Sequence, residues 1–196
     1  MSAPEPVREA GEAPGVSLNA CRADIVEIAA WRERESELEG IAQGRGISLP
    51  PFGRISVDTR GLALCVRPGR WLVLASPAAP GVTRARWEVS CAGLGAVVDL
   101  SSGLAAFHLA GPAIREMLAR GCRLDLDPEV FPVGSAAATP MIQVATILGA
   151  LPSGLLMLTP ASTARHVHEW LVSAAGPFGL ESGADVTVAA LSGDRS

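Results

Sequence analysis

A pattern that occurs twice restricts the fold of this sequence more than any other feature. Residues 70–89 read RWLVLASPAAPGVTRARWEV, and residues 154–173 read GLLMLTPASTARHVHEWLVS. Each segment begins with a β-prone apolar run, continues through a proline-containing turn, and ends in a stretch that contains one tryptophan. The two segments look like the same structural element used twice, namely the second strand of a hairpin followed by a helix that packs back on the sheet. This repetition predicts a duplicated fold.

The second half of the sequence carries the clearer copy. A strand is predicted over Ala105–Gly111, entered from the run AVVDL through a turn at 101–103. Gly111 and Pro112 are predicted to start a helix, because the proline lacks an N–H that would be unpaired there. Gly121 is predicted as the left-handed residue that ends this helix. The residues expected on the buried side of the helix recur at helical spacing: Ile114, Met117 and Leu118.

A hairpin and a final helix complete this copy. The extended runs MIQVATILGAL and GLLMLTP are joined by the turn residues at 152–154. Ser162 or Thr163 is predicted to cap the helix that follows, and Gly176-Pro177 is predicted to stop it. The apolar stripe of this helix comprises Val167, Trp170, Leu171 and Ala174.

The first half offers a fainter copy of the same order. A strand is predicted over Ala23–Trp31, a charged helix over Arg32–Gly46, a hairpin over Gly61–Pro77 and a weaker helix over Val82–Cys91. The charged helix is expected to turn Leu38, Ile41 and Ala42 inward.

These elements define the predicted fold class, α+β, built as two ferredoxin-like strand-helix-strand-strand-helix units. The units span about 20–92 and 96–180, inside a single domain over 16–196. Residues 1–15 are predicted to be a flexible tail because they are rich in Pro, Glu and Gly.

Composition excludes several classes of function. The net charge is −4, so nothing argues for binding to nucleic acid or to an anionic membrane. All 16 basic residues are arginine, which excludes a P-loop nucleotide hydrolase and a pyridoxal-phosphate enzyme, since both need a lysine. With no long apolar run and no signal-like start, a cytoplasmic location is predicted.

No residue pattern predicts a catalytic centre or a metal site. The four cysteines are far apart in sequence and are expected to act as small apolar residues. His166 and His168 lack the spacing of a helical metal pair, and His108 is expected to be a hydrogen-bonded, half-buried strand residue. Asp125, Asp127 and Glu129 only partly match a calcium loop. A catalytic triad assembled from distant residues stays open, although no nucleophile-elbow motif is present.

The run 96–175, which contains VVDLSSGLAAFHLAGPAIREMLARGCRLDLDPEVF, resembles the γ subunit of heterotetrameric sarcosine oxidase. With the RPGRWLVLA hairpin, the resemblance covers most of the chain from about residue 20. The same run is more remotely similar to the folate-binding domain of the glycine-cleavage aminomethyltransferase. There Asp125 falls near the catalytic aspartate, with Leu124 where that enzyme has Asn, so Arg123 and Asp125 become the candidate pocket residues.

The resemblance implies a complex in which this chain is a non-catalytic structural subunit. It would pack against the large alpha subunit, with beta and delta subunits completing the tetramer. FAD, FMN, NAD, zinc and tetrahydrofolate would all lie on those other subunits, and none would lie on this chain. The complex would oxidise the N-methyl group of sarcosine or of another secondary amine. The alternative is a free-standing tetrahydrofolate-binding or one-carbon transfer protein that uses Asp125 and Arg123.

Overall fold

A computed structural model describes residues 15–191, so the predicted tail lies outside the described residues except for Gly15. The helices are α1 (Glu35–Gly44), α2 (Val82–Ser90), α3 (Ile114–Ala119), α4 (Ala164–Ala175) and α5 (Val188–Leu191). The strands of the first half are β1 (Val16–Arg22), β2 (Asp24–Ala30), β3 (Arg54–Asp58), β4 (Gly61–Arg67), β5 (Arg70–Ala75) and β6 (Gly95–Asp99). Those of the second half are β7 (Leu104–Ala110), β8 (Ala136–Met141), β9 (Val144–Leu151), β10 (Gly154–Pro160), β11 (Leu180–Ser182) and β12 (Val186–Thr187).

The strands form two sheets that follow the two predicted units. The first sheet has the order β3-β4-β5-β2-β6, and the second has the order β11-β1-β7-β10-β9-β8, with β12 also beside β1. All pairs are antiparallel except those that β11 and β12 make with β1. The path from β2 through α1, β3, β4 and β5 to α2 is repeated from β7 through α3, β8, β9 and β10 to α4.

Two strands pair across the boundary between the units. β1 comes just before β2 in the chain, but it pairs with β7 in the second sheet. β6 comes just before β7 in the chain, but it pairs with β2 in the first sheet. The exchange ties the units together through backbone hydrogen bonds as well as through side-chain packing.

Three apolar clusters divide the molecule into four layers. One cluster, which includes Met117 and Leu171, lies between the second sheet and its helices α3 and α4. A second, which includes Leu38 and Trp87, lies between the first sheet and α1 and α2. The third contains residues of both sheets, such as Leu62 and Leu156, and fills the space between them. The order of layers is therefore helices, sheet, sheet, helices, as the alternation of strand side chains dictates.

Two matching loops join the sheets at their β3 and β8 edges. Ile55 N donates to Gly134 O at 3.0 Å, and Ala136 N donates to Gly53 O at 2.8 Å. Gly53 and Gly134 adopt φ values of +78° and +87°, a conformation that glycine reaches without steric cost. The two hydrogen bonds are reciprocal, because in each case the N–H two residues after one glycine donates to the carbonyl of the other glycine.

The α+β class and the duplicated order of elements are confirmed, with one difference in detail. Each unit has three strands between its helices, because β3 and β8 precede the predicted hairpins. Both hairpins turn where predicted, at 68–69 and 152–153. The first helix is shorter than predicted, Glu35–Gly44, because Glu33 takes a φ of 64° just before it. Ile41 on this helix is half-buried.

Two predictions about helix ends are wrong. Gly121 is not among the residues with positive φ, so it is not a left-handed cap. A Cβ there would lie 2.5 Å from the Trp170 ring, which explains the glycine by close packing instead. Helix α4 has no side-chain cap, because the Thr163 hydroxyl donates to Pro160 O at 3.1 Å. Helix α3 begins at Ile114, two residues after Pro112.

Candidate functional site

One of the two candidate pocket residues lies in a cleft. Arg123 lines a cleft of about 460 Å³ together with Arg120 and the β8–β9 turn residues Ile142 and Gln143. Both turn residues have positive φ, 44° and 67°, which is strained for a β-branched isoleucine. We call this space the second cleft, because it adjoins the end of α3 in the second unit.

Asp125 is exposed and is not among the residues that line the second cleft. Its Oδ1 accepts a hydrogen bond from Asp127 N at 2.9 Å, and Asp127 Oδ1 accepts one from Glu129 N at 2.8 Å. The acidic stretch therefore orders its own loop by side-chain to backbone bonds, as Asp does in turns. Within residues 15–191, no group of three or more His, Cys, Asp and Glu side chains is placed to hold a metal ion.

Arg115 holds the same loop from the helix side. Its Nη1 donates to Phe131 O at 3.0 Å and also to Leu126 O. Arg115 is half-buried between the helix and the loop. Its side chain thus holds the acidic loop against α3.

His108 is a buried packing residue between the sheets. It is 7% exposed, and its Nε2 lies 3.2 Å from Ser153 Oγ in the β9–β10 turn. Burial lowers the pKa of His108 below its ordinary value, so the neutral imidazole is favoured. His166 and His168, in contrast, are exposed on α4, and the His168 ring lies 6.0 Å from that of Phe107.

The cysteines are free, and three of them are buried. Burial raises the pKa of Cys21 to about 11, and it raises the pKa values of Cys65 and Cys91 as well. A thiol with a raised pKa has little thiolate at neutral pH and is a poor nucleophile. Cys21 belongs to the cluster between the sheets, and Cys65 and Cys91 belong to the cluster under α1 and α2.

A larger cleft in the first unit contains residues that the sequence patterns did not single out. This first cleft, of about 830 Å³, lies between the end of α1, the β3–β4 turn and α2. Its charged lining consists of Arg45, Arg60 and Arg86. Arginines scattered over 42 positions in sequence carry no local motif, so only the tertiary fold, which places the end of α1, the β3–β4 turn and α2 side by side, brings them together.

The family comparison covers most of the chain. Residues 41–175 match the sarcosine oxidase, gamma subunit family. The chain is 29% identical over 141 residues to the sarcosine oxidase subunit gamma of Corynebacterium sp. strain U-96, covering 70% of this chain and 68% of that protein. It is 30% identical over 146 residues to the protein of the same name from strain P-1, covering 72% and 70%.

Two solved structures have a similar fold. A chain of the heterotetrameric sarcosine oxidase from Corynebacterium sp. U-96, in complex with pyrrole 2-carboxylate, matches with a TM-score of 0.71 and 24% identity, over 83% of this chain and 85% of that one. The glycine cleavage system aminomethyltransferase T from Bartonella henselae matches with a TM-score of 0.62 and 13% identity, over 86% of this chain and 48% of that one.

The fold is thus the duplicated α+β arrangement found in one part of an aminomethyltransferase and in an oxidase subunit. The family match spans well over half of the chain, from the middle of α1 to the end of α4. The chain belongs to the sarcosine oxidase, gamma subunit family. None of the helices within residues 15–191 has the length and apolar character that a bilayer crossing requires.

Proposed function

We propose that this chain is the non-catalytic structural subunit of a heterotetrameric, flavin-dependent amine oxidase. The observation that carries the proposal is the family match over residues 41–175, joined to relatives that are named as gamma subunits of sarcosine oxidase. In this proposal the cofactors of the enzyme, which are FAD, FMN, NAD, zinc and tetrahydrofolate, all bind to its other subunits. The complex works in the cytoplasm.

Several potentially reactive side chains support this role, because His108, the three buried cysteines and Arg115 each have a packing function. His108 bonds to Ser153, the buried thiols fill apolar clusters, and Arg115 holds the acidic loop against α3. A buried group that is already satisfied by protein neighbours is not available to a substrate. The chain therefore contributes shape and surface to the complex, with the large alpha subunit as its main partner.

Co-expression tests this proposal directly. A tagged copy of this chain, produced together with alpha, beta and delta subunits of the oxidase, is expected to purify as a four-subunit complex that carries flavin absorbance. Leaving this chain out is expected to reduce the yield of assembled complex, with little change in kcat for the complex that does form. If the chain purifies as a stable monomer and retains no alpha subunit, the proposal is wrong.

The alternative function is one-carbon transfer or tetrahydrofolate binding by this chain alone, at Arg123 and Asp125. Titration of the purified chain with tetrahydrofolate separates the two functions. The structural-subunit proposal expects no heat of binding and no thermal shift. Saturable binding that is lost in Arg123→Gln and Asp125→Asn, and retained in the exposed control Glu169→Gln, would establish the alternative.

A further inference from the structure

The first cleft concentrates positive charge in a chain whose net charge is −4. Arg45, Arg60 and Arg86 all line it, and none of the described lining residues is acidic. A concave site with one sign of charge raises the local concentration of ions of the other sign. The lining of the cleft is thus positively charged, although the chain as a whole is acidic.

Three contacts hold the Arg45 side chain in the lining of this cleft. Its Nε donates to Ser90 Oγ at 2.7 Å, its Nη2 donates to Arg86 O at 2.7 Å, and its guanidinium lies 5.3 Å from the centre of the Trp87 ring. These contacts leave Nη1 without a bond to residues 15–191. A fixed cation loses little side-chain entropy when an anion binds to it.

Arg60 and Arg86 form no ion pair with any residue in the described part of the chain. Arg84, on the same helix as Arg86, shows the opposite behaviour, because it pairs with Glu88 at 2.8 Å. The charges of Arg60 and Arg86 are therefore left for solvent or for a ligand.

The carboxylates beside the cleft bond to other groups. Asp58 accepts hydrogen bonds from Ser48 N at 2.8 Å and from Ser48 Oγ at 3.1 Å. Asp24 accepts hydrogen bonds from Ala78 N at 3.1 Å and from Thr83 Oγ1 at 2.5 Å. With both acids engaged elsewhere, no carboxylate of the described chain pairs with Arg60 or Arg86.

We propose that the first cleft binds the phosphate groups of a small polar ligand. Guanidinium groups pair with phosphate oxygens through two parallel hydrogen bonds, and the hydroxyls of Thr59 and Ser76 add further donors to the lining. The volume of about 830 Å³ exceeds what a single phosphate fills and is in the range of small-molecule sites. The site does not depend on the subunit function proposed above.

The second cleft lies at the equivalent position of the second unit, between the end of α3 and the β8–β9 turn, but it lacks the features of a phosphate site. Arg120 there lies over the Phe178 ring, 4.5 Å from its centre, and Gly121 is packed against Trp170. The space that remains is about 460 Å³. The larger volume and the third arginine belong to the first unit alone, so the phosphate site is a property of one unit and not of the repeated fold.

Calorimetric titration of the full-length chain with inorganic pyrophosphate tests the proposal. We expect saturable binding, and we expect Arg60→Gln and Arg86→Gln each to weaken it by about tenfold, as the loss of one charge-assisted contact does. The matched control is Arg84→Gln, which removes an equal charge from the same helix outside the cleft and leaves the affinity unchanged. Circular dichroism checks that each variant is folded, and Arg60, on an exposed turn, is the safer of the two for folding.

Three results would overturn the proposal. The first is the absence of binding at millimolar pyrophosphate. The second is an equal loss of affinity in Arg84→Gln, which would indicate nonspecific attraction. The third is binding to the free chain that disappears in the assembled complex, which would show that a partner subunit covers the cleft. Retention of binding in the complex supports a small ligand.

Discussion

The two units solve the same packing problem with different chemistry. Glu27 on β2 lies opposite Leu72 on β5, and His108 on β7 lies opposite Leu156 on β10. Leu72 and Leu156 are each the third residue of their own strand. The two positions are therefore equivalent, and both polar side chains are buried, at 9% and 7% exposed.

The difference lies in what satisfies each group. Glu27 binds the side chains of Arg67 and Arg70, which flank the first hairpin turn, with Arg70 Nη1 at 2.9 Å. His108 instead faces Ser153 within the second hairpin turn. A buried charge needs charged partners, whereas a neutral imidazole carries no net charge and can pair with an uncharged hydroxyl. Both units therefore have a buried polar side chain at the same position between the sheets, but the residues that bond to it differ between the units.

The largest expected effect concerns whether the two units unfold together. Leu62→Ala removes a fully buried side chain from the cluster that both sheets share, and it should lower the free energy of unfolding by about 2–5 kcal/mol.

Because the sheets share this cluster and exchange β1 and β6, we expect one transition in urea. Trp31, Trp71 and Trp87 report on the first unit and Trp170 on the second. Separate transitions in variants that keep only one set of these tryptophans would show that the units are independent.

A smaller effect separates the two glycines that follow α1 and α3. Gly121→Ala forces the Trp170 ring to move and should cost about 1–3 kcal/mol, with a shift in tryptophan fluorescence. Gly46→Ala strains a φ of +75° and should cost about 1 kcal/mol without a change at Trp170. Urea titration with emission spectra checks both values. Equal fluorescence changes in the two variants would contradict the different roles assigned to these glycines.

Removing the buried carboxylate tests the charged half of the comparison. Glu27→Gln should lower the free energy of unfolding by about 1–2 kcal/mol, a modest loss because Arg67 and Arg70 are half-exposed and can turn to water. The loss should shrink in high salt, which screens the wild-type ion pairs. The control is His108→Gln, whose effect should not depend on salt. A salt-independent loss in Glu27→Gln would argue that shape matters there and charge does not.

The smallest expected effect is a pH dependence that belongs to the second unit. The pKa of His108 is lowered in the folded chain from its ordinary value of 6.5, so the unfolded chain takes up the proton first as the pH falls. The contribution of His108 to the free energy of unfolding should therefore be constant above that value and should decrease as the pH drops from 6.5 toward the folded pKa.

His108→Gln provides the reference for this pH effect. The variant should lose that part of the acid sensitivity while the contribution of the carboxylates remains. Unfolding in urea at a series of pH values measures the difference between the two proteins. Identical pH profiles for wild type and variant would rule out His108 as the source.

Sequence patterns predicted the repeated path of elements in both units apart from one strand in each, β3 and β8. The turn at 152–153, helix α4 and the buried side of α3 followed from period-two and period-3.6 patterns that are local. β3 and β8 were missed, because each is a short edge strand, five or six residues long, that follows a proline-rich loop. The candidate Arg123 does line a cleft, but the three arginines of the first cleft were not identified at all.

By itself, the sequence determined the class of the fold, the duplication and the family resemblance, because these depend on residue order and local periodicity. Only the tertiary structure decided which sheet β1 and β6 join, since strand pairing depends on contacts far apart in sequence. It also decided why Gly121 is glycine, which pKa values burial shifts, and where Arg45, Arg60 and Arg86 converge. These properties arise from distances across the packed layers, which no local pattern specifies.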